Sequence, residues 1–238
     1  MSLLRIEEVT KRFGGLVAND RVSFDVGRGE IVGLIGPNGA GKSTLFNCIA
    51  GYFKPDGGRI FFRGEEITGL FPEKIAKKEL GRTFQIVKIF PRMTVLENVM
   101  VGAFIRTASV AGASKRAGEW IEYVGLSGKI ESLASELTLA EQKWLQLART
   151  LAIDPEMLLM DEVLAGLTAS ETKSAVELIR KIRDEKEITI LIVEHVMDVI
   201  MPLSDRVVVL DNGRKIAEGT PEEVSKDPLV IKAYLGEE

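Results

Sequence analysis

Apolar and polar residues alternate with a period of two along the first part of the chain. The segments "LLRIEEV" and "RVSFDV" show this alternation, and Gly14 and Gly15 mark a turn between them. The segment "RIFFRGEEI" has the pattern of a short hairpin that turns at Arg63 and Gly64. Roughly the first 70 residues are therefore predicted to form an antiparallel β-layer.

The pattern becomes helical in the middle of the chain. Between Thr94 and Ala152, apolar residues recur every three or four positions in "TVLENVMVGAFI", "SKRAGEWIEYVGL" and "AEQKWLQLARTLA". Beyond them, the apolar runs "MLLM", "ITILIVE" and "RVVVL" alternate with the helical pattern of "SETKSAVELIRKIRDEK", which predicts a parallel sheet. The segments "LDNGRKIAEG" and "TPEEVSKD" predict a hairpin with an Asn-Gly turn and a helix with Pro221 at its first position.

These patterns predict one α/β domain over residues 1–238. Its core is expected to comprise residues 1–85 and 155–238, and the helical residues at approximately 86–154 are expected to form an inserted subdomain. A length of 238 residues with 45% hydrophobic content is sufficient for one such domain. The expected fold is a mixed core sheet with an antiparallel β-layer and an α-helical insert.

The composition limits the classes of partner. The formal net charge is −4, whereas domains that bind nucleic acid are usually basic, so no nucleic-acid partner is expected. A single cysteine, Cys48, excludes an intrachain disulfide and fits a reducing, cytoplasmic location. The start "MSLLRIEEVT" lacks the pattern of a signal peptide. No apolar run approaches the roughly 20 residues that a membrane-spanning helix needs, so any membrane role is expected to depend on a partner.

The segment "GPNGAGKST" at residues 36–44 has the pattern of a phosphate-binding loop. It follows the apolar run "EIVGLI" and precedes the helical "LFNCIA", which is the strand, turn and helix order of a phosphate cradle. The glycines let the backbone turn tightly, Lys42 can reach the outer phosphates, and Ser43 can ligate Mg²⁺. A Gly-rich turn that only caps a helix is the alternative. The predicted nucleotide-binding residues of this loop are Gly36, Pro37, Asn38, Gly39, Ala40, Gly41, Lys42, Ser43 and Thr44.

Two acidic residues end a later apolar strand. The segment "MLLMDE" places Asp161 and Glu162 at the carboxyl end of that strand, where ligands bind in α/β sheets. Asp161 is predicted to hold Mg²⁺ through its water shell, and Glu162 is predicted to orient or activate the attacking water. A solvated acidic strand end is the alternative, but the phosphate loop elsewhere in the chain favours the catalytic role.

Three further residues extend the candidate site. His195, the only histidine, follows the apolar strand in "TILIVEH" and can hydrogen-bond the γ-phosphate or its water. Gln85 is predicted to end the strand in "GRTFQ", and its amide is a candidate ligand of Mg²⁺ or of water. Phe13 in "KRFGG" is a candidate stacking platform for adenine. A core aromatic is the alternative for Phe13, and the local sequence does not separate the two.

Taken in chain order, these motifs resemble those of the ATP-binding subunits of ABC transporters. The order is the phosphate loop, the glutamine strand end, a helical insert, "LTLAEQ", "LLMDE", "AGLT" and "IVEH". The segments "TKRFGGLVA", "GLIGPNGAGKSTLFNCIAGYFKPDGG", "GRTFQIVKIFPRMTVLENVMVGA" and "AEGTPEEVSKDPLVIKAYLGEE" are similar to the Liv-type subunits, which power branched-chain amino-acid import. The resemblance covers essentially the whole chain.

The resemblance implies a P-loop NTPase fold that hydrolyses ATP with Mg²⁺ at the inner face of the cell membrane. It implies that Phe13 stacks on adenine, that residues 36–44 bind phosphates, and that Gln85 senses both Mg²⁺ and the transmembrane partner. It likewise implies the metal and water roles of the acidic pair and a γ-phosphate contact of the histidine. The implied partners are membrane-spanning permease subunits, a second ATP-binding subunit paired head to tail and, in the wider complex, a solute-binding protein.

The signature loop, which in this family covers the partner's ATP, departs from the usual pattern. The family usually reads Leu-Ser-Gly-Gly-Gln, and this chain has Leu137, Thr138, Leu139, Ala140 and Glu141. The T-x-x-E spacing is a capping box, so a helix can still begin here. The two missing glycines restrict the backbone, and Glu141 adds a carboxylate where phosphate should bind. A heterodimer with a glycine-rich cassette is therefore favoured over a homodimer.

The sequence leaves two alternative functions open and predicts one surface for contact with a membrane partner. The other functions are a soluble ABC-type ATPase that acts on DNA or ribosomes and a regulatory module with little turnover. The segment from Gln85 to about Arg106 is expected to carry the contact with the membrane partner. Ile89, Phe90 and Met93 in "IVKIFPRM" are expected near that surface, and packing under the helices is the alternative.

Overall fold

The computed structural model describes residues 2–235, which contain two β-sheets, nine α-helices and two short 3₁₀ turns. The strands in chain order are β1 (Ser2–Phe13), β2 (Leu16–Gly27), β3 (Ile31–Ile35), β4 (Gly57–Phe62), β5 (Glu65–Glu66), β6 (Leu80–Arg82), β7 (Met157–Asp161), β8 (Thr189–Val193), β9 (Arg206–Asp211) and β10 (Arg214–Gly219). The helices are α1 (Lys42–Ile49), α2 (Pro72–Lys77), α3 (Val95–Ala103), α4 (Val110–Tyr123), α5 (Leu139–Leu151), α6 (Ala169–Lys186), α7 (Met197–Leu203), α8 (Pro221–Lys226) and α9 (Pro228–Leu235). The 3₁₀ turns are Ser127–Lys129 and Ala134–Glu136.

The alternating segments at the start of the chain form a four-stranded antiparallel sheet in the order β2-β1-β4-β5. Leu4, Ile6 and Val9 of β1 are buried. The chain reverses at Gly14, whose φ is 58°, and at Arg63 and Gly64, whose φ values are 55° and 79°. The predicted β-layer and both of its turns are therefore confirmed.

The later apolar runs form the predicted mixed sheet, which has six strands in the order β10-β9-β3-β8-β7-β6. Strands β9, β3, β8, β7 and β6 run parallel, and only the edge strand β10 is antiparallel. Every residue of β3, β7 and β8 is buried. Because both faces of these strands are covered, they are continuous apolar runs rather than alternating ones.

The central sheet separates two apolar layers. On one face, Val32 and Leu34 of β3 pack with Phe46 of α1 and with the antiparallel sheet. On the other face, Ile31 and Ile35 of the same strand belong to a cluster that includes the helices α3 to α6. The period of two along β3 therefore places α1 on one side of the sheet and the helical middle of the chain on the other.

The helical middle has locally encoded ends. Thr94 begins α3 with a capping box to Glu97, and Thr220, which precedes Pro221, begins α8 with a capping box in the same way. The helices α3, α4 and α5 contact one another and share one apolar cluster with the sheet. The division into a core of residues 1–85 and 155–238 and a subdomain of about 86–154 stays a prediction. Within the described residues, none of the helices has both the length and the hydropathy that crossing a bilayer demands.

Candidate active site

Four parallel strands deliver the predicted catalytic residues to one edge of the central sheet. The phosphate loop follows β3, Gln85 follows β6, Asp161 ends β7 with Glu162 directly after it, and His195 follows β8. These strands are neighbours, in the order β3-β8-β7-β6, and their carboxyl ends point the same way. The edge of the sheet therefore gathers groups that are far apart in sequence, as is typical of ligand sites in α/β proteins.

Glycine is required in the phosphate loop for two different physical reasons. At Gly36 a Cβ would lie 2.1 Å from the carbonyl oxygen of Leu210, and at Gly41 it would lie 2.3 Å from that of Ala18. Both positions are therefore glycine because the loop packs tightly against β9 and β2. At Gly39, whose φ is 83°, a Cβ would meet nothing within 4 Å. The requirement at Gly39 is thus conformational alone.

Lys42 begins α1 directly behind the loop. Its ammonium donates hydrogen bonds to the carbonyl oxygens of Gly36 at 2.6 Å and Pro37 at 3.0 Å, and the residue is buried. Burial lowers the pKa of Lys42, and the nearby carboxylates of Glu162 and Asp161 oppose the shift. The cation is therefore held at the loop by backbone acceptors and faces the acidic pair.

A cavity of about 390 Å³ lies against the phosphate loop. Its lining residues are Phe13, Leu16, Val17, Ala18, Asn38, Gly39, Ala40, Gly41, Lys42, Ser43, Thr44, Glu162 and Asn212. Of the predicted loop residues, Gly36 and Pro37 lie outside this lining. Leu16 to Ala18 at the start of β2, and Asn212, carry no motif, so sequence reasoning missed them. The cavity has the size that a small-molecule ligand needs and meets the helix N-terminus, where anions bind.

Phe13 lies at the mouth of this cavity and is not a core aromatic. Its ring is 43% exposed, which leaves surface for a ligand to stack on. The edge contact with Phe53, at 5.3 Å between ring centroids, holds it in place. The ammonium of Lys11 lies 5.4 Å from the Phe13 centroid. The stacking role for Phe13 therefore has the exposure and the location that it requires.

The acidic residue Asp161 fits a role in holding Mg²⁺. It is buried, its Oδ2 accepts a hydrogen bond from Arg82 at 3.0 Å, and its Oδ1 is buried with no partner in the described part of the chain. Burial raises the pKa of Asp161, and the Arg82 guanidinium opposes this shift. An orphaned carboxylate oxygen is costly unless a cation or a donor satisfies it. Ser43 is exposed at the start of α1 and is the hydroxyl available on the same edge.

The donor set is too small to hold a metal without the nucleotide. Within residues 2–235, no group of three or more His, Cys, Asp or Glu side chains is arranged to bind a metal ion. Mg²⁺ often takes only one or two protein ligands and completes its shell with phosphates and water. Asp161, Ser43 and Gln85 match that kind of site.

The carboxylate of Glu162 is the point on which Gln85 and His195 converge. The amide nitrogen of Gln85 donates to Glu162 Oε2 at 2.6 Å, and Nδ1 of His195 lies 3.9 Å from the same oxygen. Glu162 has a left-handed backbone with φ of 46°, and its N–H donates to the carbonyl oxygen of Val193 at 2.9 Å. The sequence placed Gln85 at a strand end, but β6 ends three residues earlier at Arg82. The exposed loop position lets the amide reach Glu162.

Two buried charges that sequence reasoning missed fix the loop after Glu162. Lys143 of α5 donates to the carbonyl oxygen of Val163 at 2.9 Å, and Glu194 Oε1 accepts from the N–H of Leu164 at 2.9 Å. Burial lowers the pKa of Lys143 and raises that of Glu194. The adjacency of Glu194 to the histidine in "IVEH" is the one sequence signal that could have identified it.

The signature residues lie away from the chain's own phosphate-loop cavity. Thr138 caps α5, its Oγ1 accepts from the N–H of Glu141 at 3.3 Å, and Glu141 Oε2 accepts from the N–H of Thr138 at 2.8 Å. The predicted capping box is present. Lys129 Nζ lies 3.9 Å from Glu141 Oε1. The Glu141 carboxylate therefore accepts a hydrogen bond at the start of its own helix, and the nearby Lys129 ammonium partly offsets its negative charge. Leu137 and Ala140 are buried, while Leu139 is exposed.

The comparisons with known proteins agree with this geometry. Residues 19–165 match the family described as "ABC transporter", and residues 214–238 match "Branched-chain amino acid ATP-binding cassette transporter". The chain is 42% identical over 250 residues to the "High-affinity branched-chain amino acid transport ATP-binding protein LivG" of Escherichia coli K12, with 99% of this chain and 98% of the relative covered. It is 41% identical, with the same coverage, to the corresponding BraF protein of Pseudomonas aeruginosa.

The chain is also similar to solved structures of ATP-binding cassettes. A nucleotide-free ATP-binding cassette from an ABC transporter has a TM-score of 0.90 and 33% identity, with 100% of both chains covered. A cassette described in its ADP conformation has a TM-score of 0.90 and 34% identity, again with 100% of both chains covered. A dimeric cassette bound to ADP and Pi has a TM-score of 0.82 and 26% identity over 92% of this chain and 98% of that one.

Proposed function

The chain belongs to the ABC transporter family as an ATP-hydrolysing cassette, and from that premise we propose that it powers the uptake of branched-chain or related amino acids. The observation that carries this proposal is the convergence of Gln85 and His195 on the carboxylate of Glu162, beside the phosphate-loop cavity. The solute follows from the names of the relatives and from the match of residues 214–238.

The residues of the site divide the reaction between them. Lys42 and the N-terminus of α1 bind the phosphates, and Phe13 stacks against the adenine. Glu162 accepts a proton from the attacking water, and Gln85 and His195 hold the carboxylate and the γ-phosphate in line. Asp161 and Ser43 would hold Mg²⁺, which would neutralise negative charge on the phosphate oxygens.

The membrane partner binds a second surface, which begins at Gln85. A groove of about 310 Å³ lies between the sheet core and the helices, and its rim exposes apolar side chains. Tyr52, Val101 and Ile105 line the groove, and Phe71, Ile86, Phe90 and Phe104 lie outside its lining; each of the seven is at least 39% exposed. Five of these exposed residues fall within the expected contact segment, namely Ile86, Phe90, Val101, Phe104 and Ile105. So many exposed apolar side chains in one region are typical of a protein interface.

The chain pairs with a second ATP-binding cassette, and we favour a different one over a second copy. The signature residues of this chain lie outside its own phosphate-loop cavity, so they are available to a partner's ATP. Solved neighbours include a dimeric cassette. Leu139 is 48% exposed where the family usually has glycine, so a second copy would place this bulk over both nucleotides. Through the permease, the cassette is held at the cytoplasmic face of the membrane, and the solute-binding protein is on the far side.

Reconstitution tests the proposed function. We expect the chain to co-purify with multi-span permease subunits and, in proteoliposomes with the solute-binding protein, to support leucine uptake that requires ATP. The Glu162→Gln protein should assemble but not drive uptake. A soluble ABC-type ATPase would not co-purify with the permease, and a regulatory module would assemble without increased hydrolysis. Either result would contradict the importer function and favour the corresponding alternative.

A further inference from the structure

Arg82 connects the groove to the acidic residue of the metal site. It is the last residue of β6, and its side chain is only 10% exposed. Its Nη2 donates to Asp161 Oδ2 at 3.0 Å, and its Nη1 donates to Asn47 Oδ1 at 2.7 Å. Its Nε is buried without a partner in the described residues. The guanidinium thus has one arm on the strand that carries Asp161 and one on the helix that begins with Lys42.

The contact with Asp161 selects which carboxylate oxygen is available. Because Oδ2 is taken by Arg82, the buried Oδ1 is the atom left to accept a ligand. A guanidinium is planar and presents its donors in a fixed fork, so it restricts the rotation of a carboxylate more than an ammonium does. Asn47 lies on α1 and receives the other arm. The fork therefore sets the relative position of Asp161 and the helix that supplies Ser43.

The other side of Arg82 faces the groove. Its guanidinium carbon lies 5.2 Å from the ring centroids of both Tyr52 and Phe84, and the two rings meet edge to face at 5.9 Å. Tyr52, Arg82 and Phe84 all line the groove, and Tyr52 is 47% exposed. A group that enters the groove beside Arg82 therefore meets the rings that pack on the guanidinium.

We propose that Arg82 is a positioning residue that couples occupancy of the groove to the orientation of Asp161 in the Mg²⁺ site. The coupling rests on the proposed function in one respect, namely that the groove receives the permease. A group that enters the groove moves Tyr52 and Phe84, and the guanidinium moves with these rings. The movement changes the orientation of Asp161 Oδ1 toward the position of Mg²⁺. Gln85 connects the same surface to Glu162, which acts on the attacking water. Arg82 connects it separately to Asp161, which holds the metal.

The first test uses the isolated chain and measures binding. The affinity for a non-hydrolysable ATP analogue is titrated against Mg²⁺. Arg82→Gln should raise the Mg²⁺ concentration needed for half-maximal binding by about ten- to a hundredfold, as is usual when the partner of a metal ligand is removed. The affinity without Mg²⁺ should change less than about twofold. Arg82→Lys, which keeps the charge but loses the fork, should give an intermediate value.

The matched control is Arg149→Gln, because Arg149 also lines the groove but contacts Phe90 rather than Asp161. Its Mg²⁺ dependence should equal that of the parent. Should Arg82→Gln not fold, Tyr52→Leu alters the exposed ring alone and should shift the Mg²⁺ midpoint in the same direction. A parental Mg²⁺ midpoint in every folded Arg82 and Tyr52 variant would overturn the proposal.

The second test separates this inference from the proposed function. In the assembled complex, Arg82→Gln should leave co-purification with the permease intact and raise the Mg²⁺ requirement of ATP hydrolysis. Loss of the permease from the parent chain would contradict the importer function but would leave the Mg²⁺ result on the isolated chain standing. A complex whose Mg²⁺ requirement does not respond to Arg82→Gln would contradict the coupling even where import is active.

Discussion

The side-chain amide of Gln85 donates a 2.6 Å hydrogen bond to the carboxylate of Glu162, although 77 positions separate the two residues. Gln85 begins the exposed segment that leads to the groove, and Glu162 follows β7 beside the phosphate loop. A displacement of that segment changes the contact that orients the Glu162 carboxylate. We propose this contact as a local route by which the membrane partner influences hydrolysis.

Glu162→Gln should retain nucleotide binding and lose turnover. The amide keeps the size and the hydrogen-bonding capacity of the side chain but cannot accept the proton of the attacking water. General-base catalysis contributes about 10²- to 10⁴-fold, so hydrolysis should fall by at least about a hundredfold. The measurements are phosphate release and analogue affinity, together with trapping of an ATP-bound dimer, and the exposed Glu66→Gln is the control. Parental hydrolysis by Glu162→Gln would remove Glu162 from the mechanism.

Lys42→Ala should nearly abolish ATP binding. It removes the cation that reaches the outer phosphates, and it also leaves the carbonyl oxygens of Gly36 and Pro37 without their donor. Lost donors of this kind cost about 1 kcal/mol each, so the melting temperature should fall modestly. Calorimetric titration with ATP is the measurement. An affinity close to the parent's in the folded variant would show that Lys42 does not hold the phosphates.

The chain alone should be mostly monomeric and slow, and a glycine-rich partner cassette should restore its turnover. A carboxylate close to a γ-phosphate costs about 1–3 kcal/mol, or roughly ten- to a hundredfold in affinity. Because Glu141 is held by the N–H of Thr138 and lies near Lys129, we expect the lower end of this range. ATPase activity is measured against protein concentration, with Glu141→Gln as the variant. Brisk, cooperative hydrolysis by the chain alone, unchanged in Glu141→Gln, would contradict the asymmetric arrangement.

Ile86→Glu should prevent association with the permease without destabilising the domain. Ile86 is 78% exposed and Phe90 is 44% exposed, so a charge at either position faces solvent in the free chain. Phe90→Glu should have the same effect, plus a small loss of stability because Arg149 lies 5.4 Å from its ring. Co-purification and thermal unfolding are the measurements, and Leu229→Glu, an exposed apolar position elsewhere, is the control. Intact assembly with an unfolded isolated domain would instead support packing under the helices.

Cys48 should resist alkylation in the native protein. Burial raises the pKa of its thiol to about 12, against an ordinary value of 9.0, so only about one thiol in ten thousand is ionised at pH 8. Labelling at pH 8 should therefore follow unfolding, and ATP should slow it. The unfolded chain loses the proton first, so this group lowers the free energy of unfolding as the pH rises above about 9. Rapid labelling of the native chain at pH 8, unaffected by ATP, would contradict this.

Local features of the protein could be predicted from sequence because neighbouring residues encode them. The phosphate loop, the turns at Gly14 and Gly64, and the capping boxes at Thr138 and Thr220 depend on backbone dihedral angles and hydrogen bonds within a few residues. The sequence predicts a strand that ends at Gln85, and this prediction is wrong because β6 ends at Arg82. A strand end depends on pairing with β7, and that pairing stops at Arg82.

By itself, the sequence determined the order of elements, the position of the phosphate loop and the identity of the acidic pair. Parallel pairing of β6, β7, β8 and β3 decided that Gln85 and His195 meet at Glu162. The tertiary structure alone decided that Arg82 lies between the groove and Asp161, because that contact joins residues 79 positions apart. Contacts of this range depend on how the layers pack, and no local pattern of apolar and polar residues specifies them.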